Sequence, residues 1–376
     1  MENFNTTKIV EHFSCLEDER IIGRTDHKLI DIIIITICAV ICGSDEWTEI
    51  EAYGKAKKEW LKTFLELPNG IPSHDTFGRV FSIIQPDKFS DCFINWVNSV
   101  FIKTEGQVIA IDGKTLRRSH NRSKNKSAIH MVSAWASENK IVLGQIKTDE
   151  KSNEITAIPE LLNLLEIKGC IVTIDAMGCQ KNIAQKIVEK EADYILSLKG
   201  NQGKLHDDVI SFFEKAEKEN FKNTDFDYHK TTDNAHGRKE TRKHWTVCDI
   251  EWLNGKKNWK NLNGIGMVES TREIGNKTET EKRYYIFSIK DKAEKFAKSV
   301  REHWGIENKV HWILDIAFRE DDSRIRTGNA PENLTVIRHI ALNLLKQEKT
   351  IKRGTKAKRK VAGWNNDYLL KLLSCG

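Results

Sequence analysis

No pair of cysteines in this chain has the CxxC spacing of a zinc ribbon or a redox site. The eight cysteines, at positions 15, 38, 42, 92, 170, 179, 248 and 375, are scattered. They read as reduced cytoplasmic thiols, not as a disulfide framework or a zinc site. Long apolar runs are missing too. The longest uncharged one, Ile32 to Cys42, covers 11 residues, and a bilayer crossing needs about 20. A membrane span is therefore excluded. The start, MENFNTTKIVEHF, lacks the basic opening and apolar core of a signal peptide. There is no internal repeat, and only one short stretch is compositionally biased. What remains is a globular composition, 39% hydrophobic and 30% charged, which excludes disordered and collagen-like classes. At 376 residues the chain is too long for one ordinary domain, so two or three packed units are expected.

Charge is uneven. Residues 346–360, KQEKTIKRGTKAKRK, carry eight Lys/Arg against one Glu, which is +7. The net charge of the whole chain is +6, so the body is close to neutral. One reading is contact with a polyanion, most simply a nucleic-acid backbone. The other is a solubilising tail.

Residues 1–100 read as a helical N-terminal domain. Leu29 to Cys42 is apolar with a polar edge at Asp31 and Thr36, and Trp47 to Leu67 is apolar at near-helical spacing. Pro68-Asn-Gly70 breaks that pattern, and Ser73 or Asp75 caps a further helix. This is either a plain packing domain or a helix-turn-helix that presents Ser73, His74, Thr76 and Arg79 to DNA. Residues 101–199 change character. Gln107 to Asp112 and Cys170 to Asp175 are apolar runs that each end in an acid. Ala128 to Ala136 and Ile141 to Ile146 read as a hairpin, Glu154 to Ile167 and Lys181 to Lys190 as helices, and Tyr194 to Leu198 as a strand. The order predicts an α/β fold with a mixed sheet. Residues 200–291 are charged, helical early (Leu205 to Lys218) and strand-rich in their second half, with candidate strands at Trp245–Ile250, Gly264–Ser270 and Arg283–Ile289. Residues 292–345 return to helix, and residues 346–376 are the basic C-terminal tail.

Two predicted strands of one sheet end in Asp112 and Asp175, each followed by a flexible segment. If the strands are neighbours, the carboxylates converge, and converging carboxylates repel unless a cation joins them. Mg²⁺ suits oxygen ligands and exchanges its waters for phosphate; Mn²⁺ is the expected substitute. Two such ions activate the attacking oxygen and stabilise the leaving oxygen of a phosphodiester. The plainer reading of each Asp is a turn after a strand. A third acid is sought in Val300 to Asn308. On a helix, Ile306, Val310, Ile313 and Ala317 form one stripe, and Glu307 sits about 100° from it. Spacing leaves Glu302, Asp315, Glu320, Asp321 and Asp322 as rivals.

The set Ile111-Asp-Gly-Lys-Thr115, Ile174-Asp-Ala-Met-Gly178 and Arg301-Glu-His-Trp-Gly-Ile-Glu-Asn308, followed by His311-Trp312, resembles the bacterial insertion-sequence transposases with an Asp-Asp-Glu triad. More narrowly it resembles the branch that includes the H-repeat-associated proteins of Rhs elements. Leu67 to Phe77, Lys199-Gly-Asn-Gln202, His236-Gly-Arg238, Phe318-Arg-Glu-Asp321 and Ile337 to Leu345 fit the same branch, so the resemblance spans nearly the whole chain. It implies a ribonuclease-H-like core, with residues 200–291 as the insertion before the helix that carries the Glu. It assigns catalysis and metal binding to Asp112, Asp175 and Glu307. It implies cleavage of double-stranded DNA at element ends and transfer into target DNA by a protein that is a homo-oligomer on DNA, cytoplasmic, and nucleoid-associated when bound. The alternatives are a nuclease that cuts without joining, or a degenerate remnant that only binds DNA.

One departure stands out. Wider relatives carry Tyr, Arg and Lys around the Glu, and here Val300, His303 and Leu314 occupy those positions. His303, His311, Lys309 or Arg324 are the candidate replacements. Further candidate DNA contacts are Lys114, Arg117 and Arg118 after the first Asp, Arg238 and Arg242 in the insertion, and Lys352, Arg353, Lys358, Arg359 and Lys360 in the tail.

Overall fold

The structure is a computed structural model. It describes residues 8–375 apart from 22, 24, 101, 103, 121–126, 149–152, 236 and 291. The chain divides into two compact units that do not follow chain order. The first comprises Met1–Lys103, Gly113–Lys151 and Glu307–Gly376; the second comprises Thr104–Asp112 and Ser152–Ile306. No helix among the described residues is long and apolar enough to cross a membrane.

The first unit is built on two buried helices. The first, α2 (Leu29–Cys42), is apolar over most of its circumference and is covered all round, so that even the expected polar edge, Asp31 and Thr36, is buried. It stops at Gly43, whose φ of 113° lets its N–H and that of Ser44 turn back to the carbonyls of Val40 and Ala39. Around it lie α1 (Lys8–Phe13), α3 (Trp47–Ala56), α4 (Lys58–Leu61), α5 (His74–Ile83) and α6 (Pro86–Val100). Ser73 caps α5 by accepting from the Thr76 N–H. Asp31 is buried and accepts from the Leu67 N–H at 3.1 Å, which pins Leu67 in a left-handed conformation. The second buried helix, α12 (Ala330–Gln347), packs on α2.

The same unit holds the end of β1 (Val108–Thr115) and the hairpin β2 (His130–Ala136) and β3 (Ile141–Lys147), in strand order β3-β2-β1. The hairpin register slips by one residue between Ala134 and Trp135. Asn343 of α12 covers the irregularity: its side chain accepts from the Val142 N–H at 2.8 Å and donates to the Val142 carbonyl at 2.9 Å.

The second unit is a mixed sheet. Its strands are β1, β4 (Ile171–Ile174), β5 (Asp193–Leu198), β6 (Asp227–Ala235), β7 (Arg238–Val247), β8 (Gly264–Ile274) and β9 (Lys277–Phe287). The hydrogen-bonded order is β1-β4-β5-β9-β8-β7-β6. β1, β4 and β5 are parallel, and the other pairs are antiparallel. The expected mixed sheet is present. Two helices, α7 (Glu154–Leu164) and α8 (Lys181–Glu189), pack together, α9 (Lys204–Lys218) lies on β9, and α10 (Ala293–Ile306) crosses β4 to β7. Phe296 of α10 packs on Tyr285, Phe287 and His244. Gly266 makes this approach possible, because a Cβ there would lie 2.6 Å from the Phe296 ring. The strand β6 was not expected. Its sequence, DYHKTTDNA, has no apolar alternation, because it is the edge strand of the sheet.

The expected basic tail is folded. It forms α13 (Thr355–Trp364) and α14 (Asn366–Ser374), and α14 buries Tyr368, Leu369, Leu372 and Leu373. Removing the Asn343 side chain is expected to strand two buried backbone groups. Asn343→Leu should cost on the order of 2–4 kcal/mol. A urea midpoint equal to that of the parent chain would refute this role.

Candidate active site

Apolar runs build the floor of the site. Val108, Ile109, Ala110 and Ile111 of β1 pair in parallel register with Ile171, Val172, Thr173 and Ile174 of β4. Asp112 and Asp175 each follow the last paired residue. They therefore stand at the same level on neighbouring parallel strands about 4.8 Å apart. Asp175 lies just past the end of β4, and Asp112 lies within β1, which runs on to Thr115 where a flexible segment was expected. Both are half-buried.

The turn after Asp175 is closely packed. One carboxylate oxygen of Asp175 accepts from the N–H groups of Met177 at 3.0 Å and Gly178 at 3.3 Å. A Cβ on Gly178 would lie 2.3 Å from Ile174 and 2.9 Å from Ile158. The side chains of Asn201 and Gln202 donate to the carbonyls of Ala176 (2.8 Å) and Cys179 (2.6 Å). So Lys199-Gly-Asn-Gln202 works as a clamp on the Asp175 loop, which its sequence alone did not reveal.

Burial raises the pKa of Asp175, and Glu154 adds to the rise; the Gly178 and Met177 N–H groups and Lys199 oppose it without cancelling it. A carboxylate in that state gains from a cation. The all-oxygen donor pair fits a hard divalent ion. Among the described residues, no group of three or more His, Cys, Asp or Glu side chains is already gathered to hold a metal.

The end of α10 carries the third candidate. α10 stops at Ile306, and Glu307 opens a π-helical turn, Glu307–His311, before α11 (Trp312–Phe318). Such turns recur at functional sites. Glu307 is exposed. The wider turn shifts the apolar stripe by one residue: Ile306, Val310, Leu314 and Ala317 are buried, and Ile313 is only half-buried.

Several expected DNA contacts need correction. His303 is not a cation near neutral pH. Burial pushes it down to about 4, and its Nδ1 lies 3.1 Å from the Thr173 hydroxyl of β4. It fastens α10 to the strand that leads to Asp175. Lys114 does not face a phosphate. It is nearly buried and paired with Asp315, Glu320 (2.7 Å) and Asp321 (4.0 Å). Arg242 is buried against Asp233 (2.8 Å) and Glu240 (2.6 Å). Lys358 points inward to the carbonyls of Leu345 and Glu348 and to the Glu348 carboxylate. Arg359 donates to the carbonyls of Val40 and Ala317, pairs with Asp45 at 3.3 Å, and lies over the Phe318 ring. In each case a polar partner makes burial of the charge tolerable; for Lys114 and Arg359 it is distant in sequence, for Arg242 it is local.

The other cations lie outward. Arg117 and Arg118 make exposed pairs with Asp321 (3.2 Å) and Asp322 (3.5 Å). Arg238, Lys309, Lys352, Arg353 and Lys360 are exposed. Of the other candidate replacements near the Glu, His311 is pushed down to about 4 by burial, with Lys114 adding to the shift. His236 lies outside the described residues.

The chain matches the family model "Transposase DDE domain" over residues 103–344, and "DDE_Tnp_1-associated" over residues 10–97. It belongs to the transposase DDE family. It is 46% identical over 373 residues to "H repeat-associated putative transposase YhhI" of Escherichia coli (strain K12), covering 98% of each chain. It is 48% identical over 375 residues to "Putative transposase YncI" of Escherichia coli O157:H7, covering 97% of this chain and 94% of that one. A solved piggyBac transposase synaptic complex with hairpin DNA aligns with a TM-score of 0.45 and 11% identity over 96% of this chain and 77% of that chain. The family and the mixed sheet together make the core ribonuclease-H-like.

Burial also holds His244 and His339 down at about 4, like His303 and His311. In the unfolded chain these groups bind protons near pH 6.5. Their folded pKa values are depressed, so their contribution is complete above about pH 6.5 and declines as pH falls toward 4. The urea midpoint should drop steadily from pH 7 to pH 4.5. A flat midpoint across that window would contradict the burial of neutral imidazoles.

Proposed function

We propose that this chain is a DNA transposase that cuts double-stranded DNA at the ends of its insertion sequence and joins the freed end to target DNA. The observation that carries this reading is the parallel register of β1 and β4, in which Asp112 and Asp175 each follow the last paired residue. Glu307, at the π-helical turn, is the third acid of the reading.

Asp112, Asp175 and Glu307 would hold Mg²⁺, with Mn²⁺ as substitute. Such an ion supplies Lewis-acid activation of the attacking oxygen and stabilisation of the leaving oxygen. The protein's own work is orientation. The turn at Met177 and Gly178 fixes one oxygen of Asp175. His303, held neutral, braces α10 on β4 without bringing a competing charge to the site.

In the first step water attacks phosphorus at the element end. The bond from phosphorus to the 3′ oxygen breaks, and that oxygen leaves as a hydroxyl. In the second step this hydroxyl attacks a phosphorus of target DNA. The element 3′ oxygen becomes bonded to that phosphorus, the target's own bond from phosphorus to its 3′ oxygen breaks, and that oxygen leaves as a target 3′-hydroxyl. Neither step bonds DNA covalently to the protein. The outward cations Arg117, Arg118, Arg238, Lys309, Lys352, Arg353 and Lys360 hold backbone phosphates. Exposed pairs such as Arg117 with Asp321 contribute little stability, so phosphate can replace the carboxylate at small cost. Two copies act together, one on each element end, on DNA in the cytoplasm.

The test uses a DNA fragment with the element end, Mg²⁺, and the full chain. The parent chain should give cleaved and joined products, and Glu307→Gln and Asp175→Asn should each lose both by on the order of 10³-fold or more. Cleavage without joining would favour a nuclease, and unimpaired activity in both variants would reject the site. A second measurement concerns the basic C-terminal segment. Replacing Lys352, Arg353 and Lys360 together by Ala should flatten the salt dependence of DNA binding by about 3 logarithmic units of slope and leave folding intact. An unchanged slope would return that segment to a solubilising role.

A further inference from the structure

Three of the family-like stretches, Ile111–Thr115, Phe318–Asp321 and Ile337–Leu345, each supply one member of a single buried ion cluster in the first unit. Lys114 comes from the end of β1, Glu320 from the short turn Glu320–Asp322 after α11, and Arg338 from α12. The Lys114 Nζ lies 2.7 Å from one Glu320 oxygen, and the Arg338 guanidinium lies 3.6 Å from the other. The side chains of Glu320 and Arg338 are 1% and 4% exposed, so this is not a surface pair. Burial pushes the Glu320 carboxyl up, but Lys114 and Arg338 outweigh it and hold the group down at about 2.

The cluster continues outward in register. Lys114 also pairs with Asp315, Arg117 with Asp321 and Arg118 with Asp322; Arg326 donates to the Arg118 carbonyl at 2.7 Å. The buried Lys114–Glu320 pair does the fastening; the exposed Arg117 and Arg118 pairs lie alongside it and add little. Lys114 lies two residues after Asp112, on the same strand, where side chains at i and i+2 share a face. Glu320 belongs to the segment that opens with Glu307 and its π-helical turn. None of these cluster residues is itself a member of the acid triad.

We propose that Lys114, Glu320 and Arg338 are positioning residues, which hold the strand end directly after Asp112 and the segment opening with Glu307 in fixed register. This rests on the transposase reading above. A buried, fully charged link suits the task, because it has one low-energy arrangement where an apolar contact tolerates sliding. It also accounts for why Asp315 and Glu320, rivals to Glu307 on spacing, do not serve as the third acid: their charge is used by Lys114.

The experiment compares hydrogen–deuterium exchange in the full parent chain and in Glu320→Gln, with Asp315→Asn as a second variant in case the first fails to fold. Exchange should accelerate in residues 108–118 and 307–315 together. Acceleration confined to residues 318–323 in the folded variant would overturn the proposal, whatever the activity. The cleavage assay then adds a functional split. Glu320→Gln should lower the turnover rate by about 10²-fold with DNA affinity unchanged, and Lys114→Arg should retain more activity than Lys114→Met. Full turnover in Glu320→Gln would also overturn it. If the parent chain cleaves no element-end DNA, the transposase reading fails, and the exchange result still decides whether the two segments are coupled.

Discussion

The parallel pairing of β1 with β4 is the constraint on which the site depends. Ile111 opposite Ile174 puts one aspartate after the last paired residue of each strand, at the same level. A slip of one residue would turn one carboxylate to the opposite face. The structure guards β4 and its following turn from several sides. His303 of α10 meets Thr173, Gly178 admits the close packing of Ile174 and Ile158, and Asn201 and Gln202 hold the carbonyls of the loop. His303 comes from a segment 130 positions away and Asn201 from one 25 away, and all of these contacts act within the second unit.

Charge is used in two distinct ways. One set of ionic side chains is structural, with Lys114, Arg242, Arg338, Lys358 and Arg359 buried against carboxylates or carbonyls. Breaking such a pair from one side leaves an uncompensated charge, which costs more than the pair itself contributes. The other set is exposed and free to exchange partners. Counting the basic segment as +7 overstates what it offers a polyanion, since Lys358 and Arg359 are turned inward.

Much of this was legible from pattern. The largely apolar stretch Leu29–Cys42 is a buried helix with the expected ends, and the hairpin and the strand before Asp175 fall where alternation and length placed them, whereas the strand before Asp112 runs on through it to Thr115. Those features are local, so local sequence reports them. The rest depends on partners far away. β6 carries no apolar alternation because it lies at a sheet edge. The π-helical turn after Glu307 moves the buried stripe from Ile313 to Leu314, and a fixed helical period cannot anticipate an inserted residue. Lys114 reads as a phosphate contact until Glu320, about 200 positions on, is seen beside it. The helix α14 had a visible signal in Tyr368, Leu369, Leu372 and Leu373, masked by the neighbouring basic run.

The central claim is that Asp112 and Asp175 share one cation. Its most direct test is an anomalous-scattering map from crystals of the full chain soaked in Mn²⁺. The account predicts a peak in contact with both carboxylates, lost in Asp175→Asn. Mn²⁺ bound elsewhere, at Asp315 and Glu320 for example, with nothing beside Asp112 and Asp175, would contradict it.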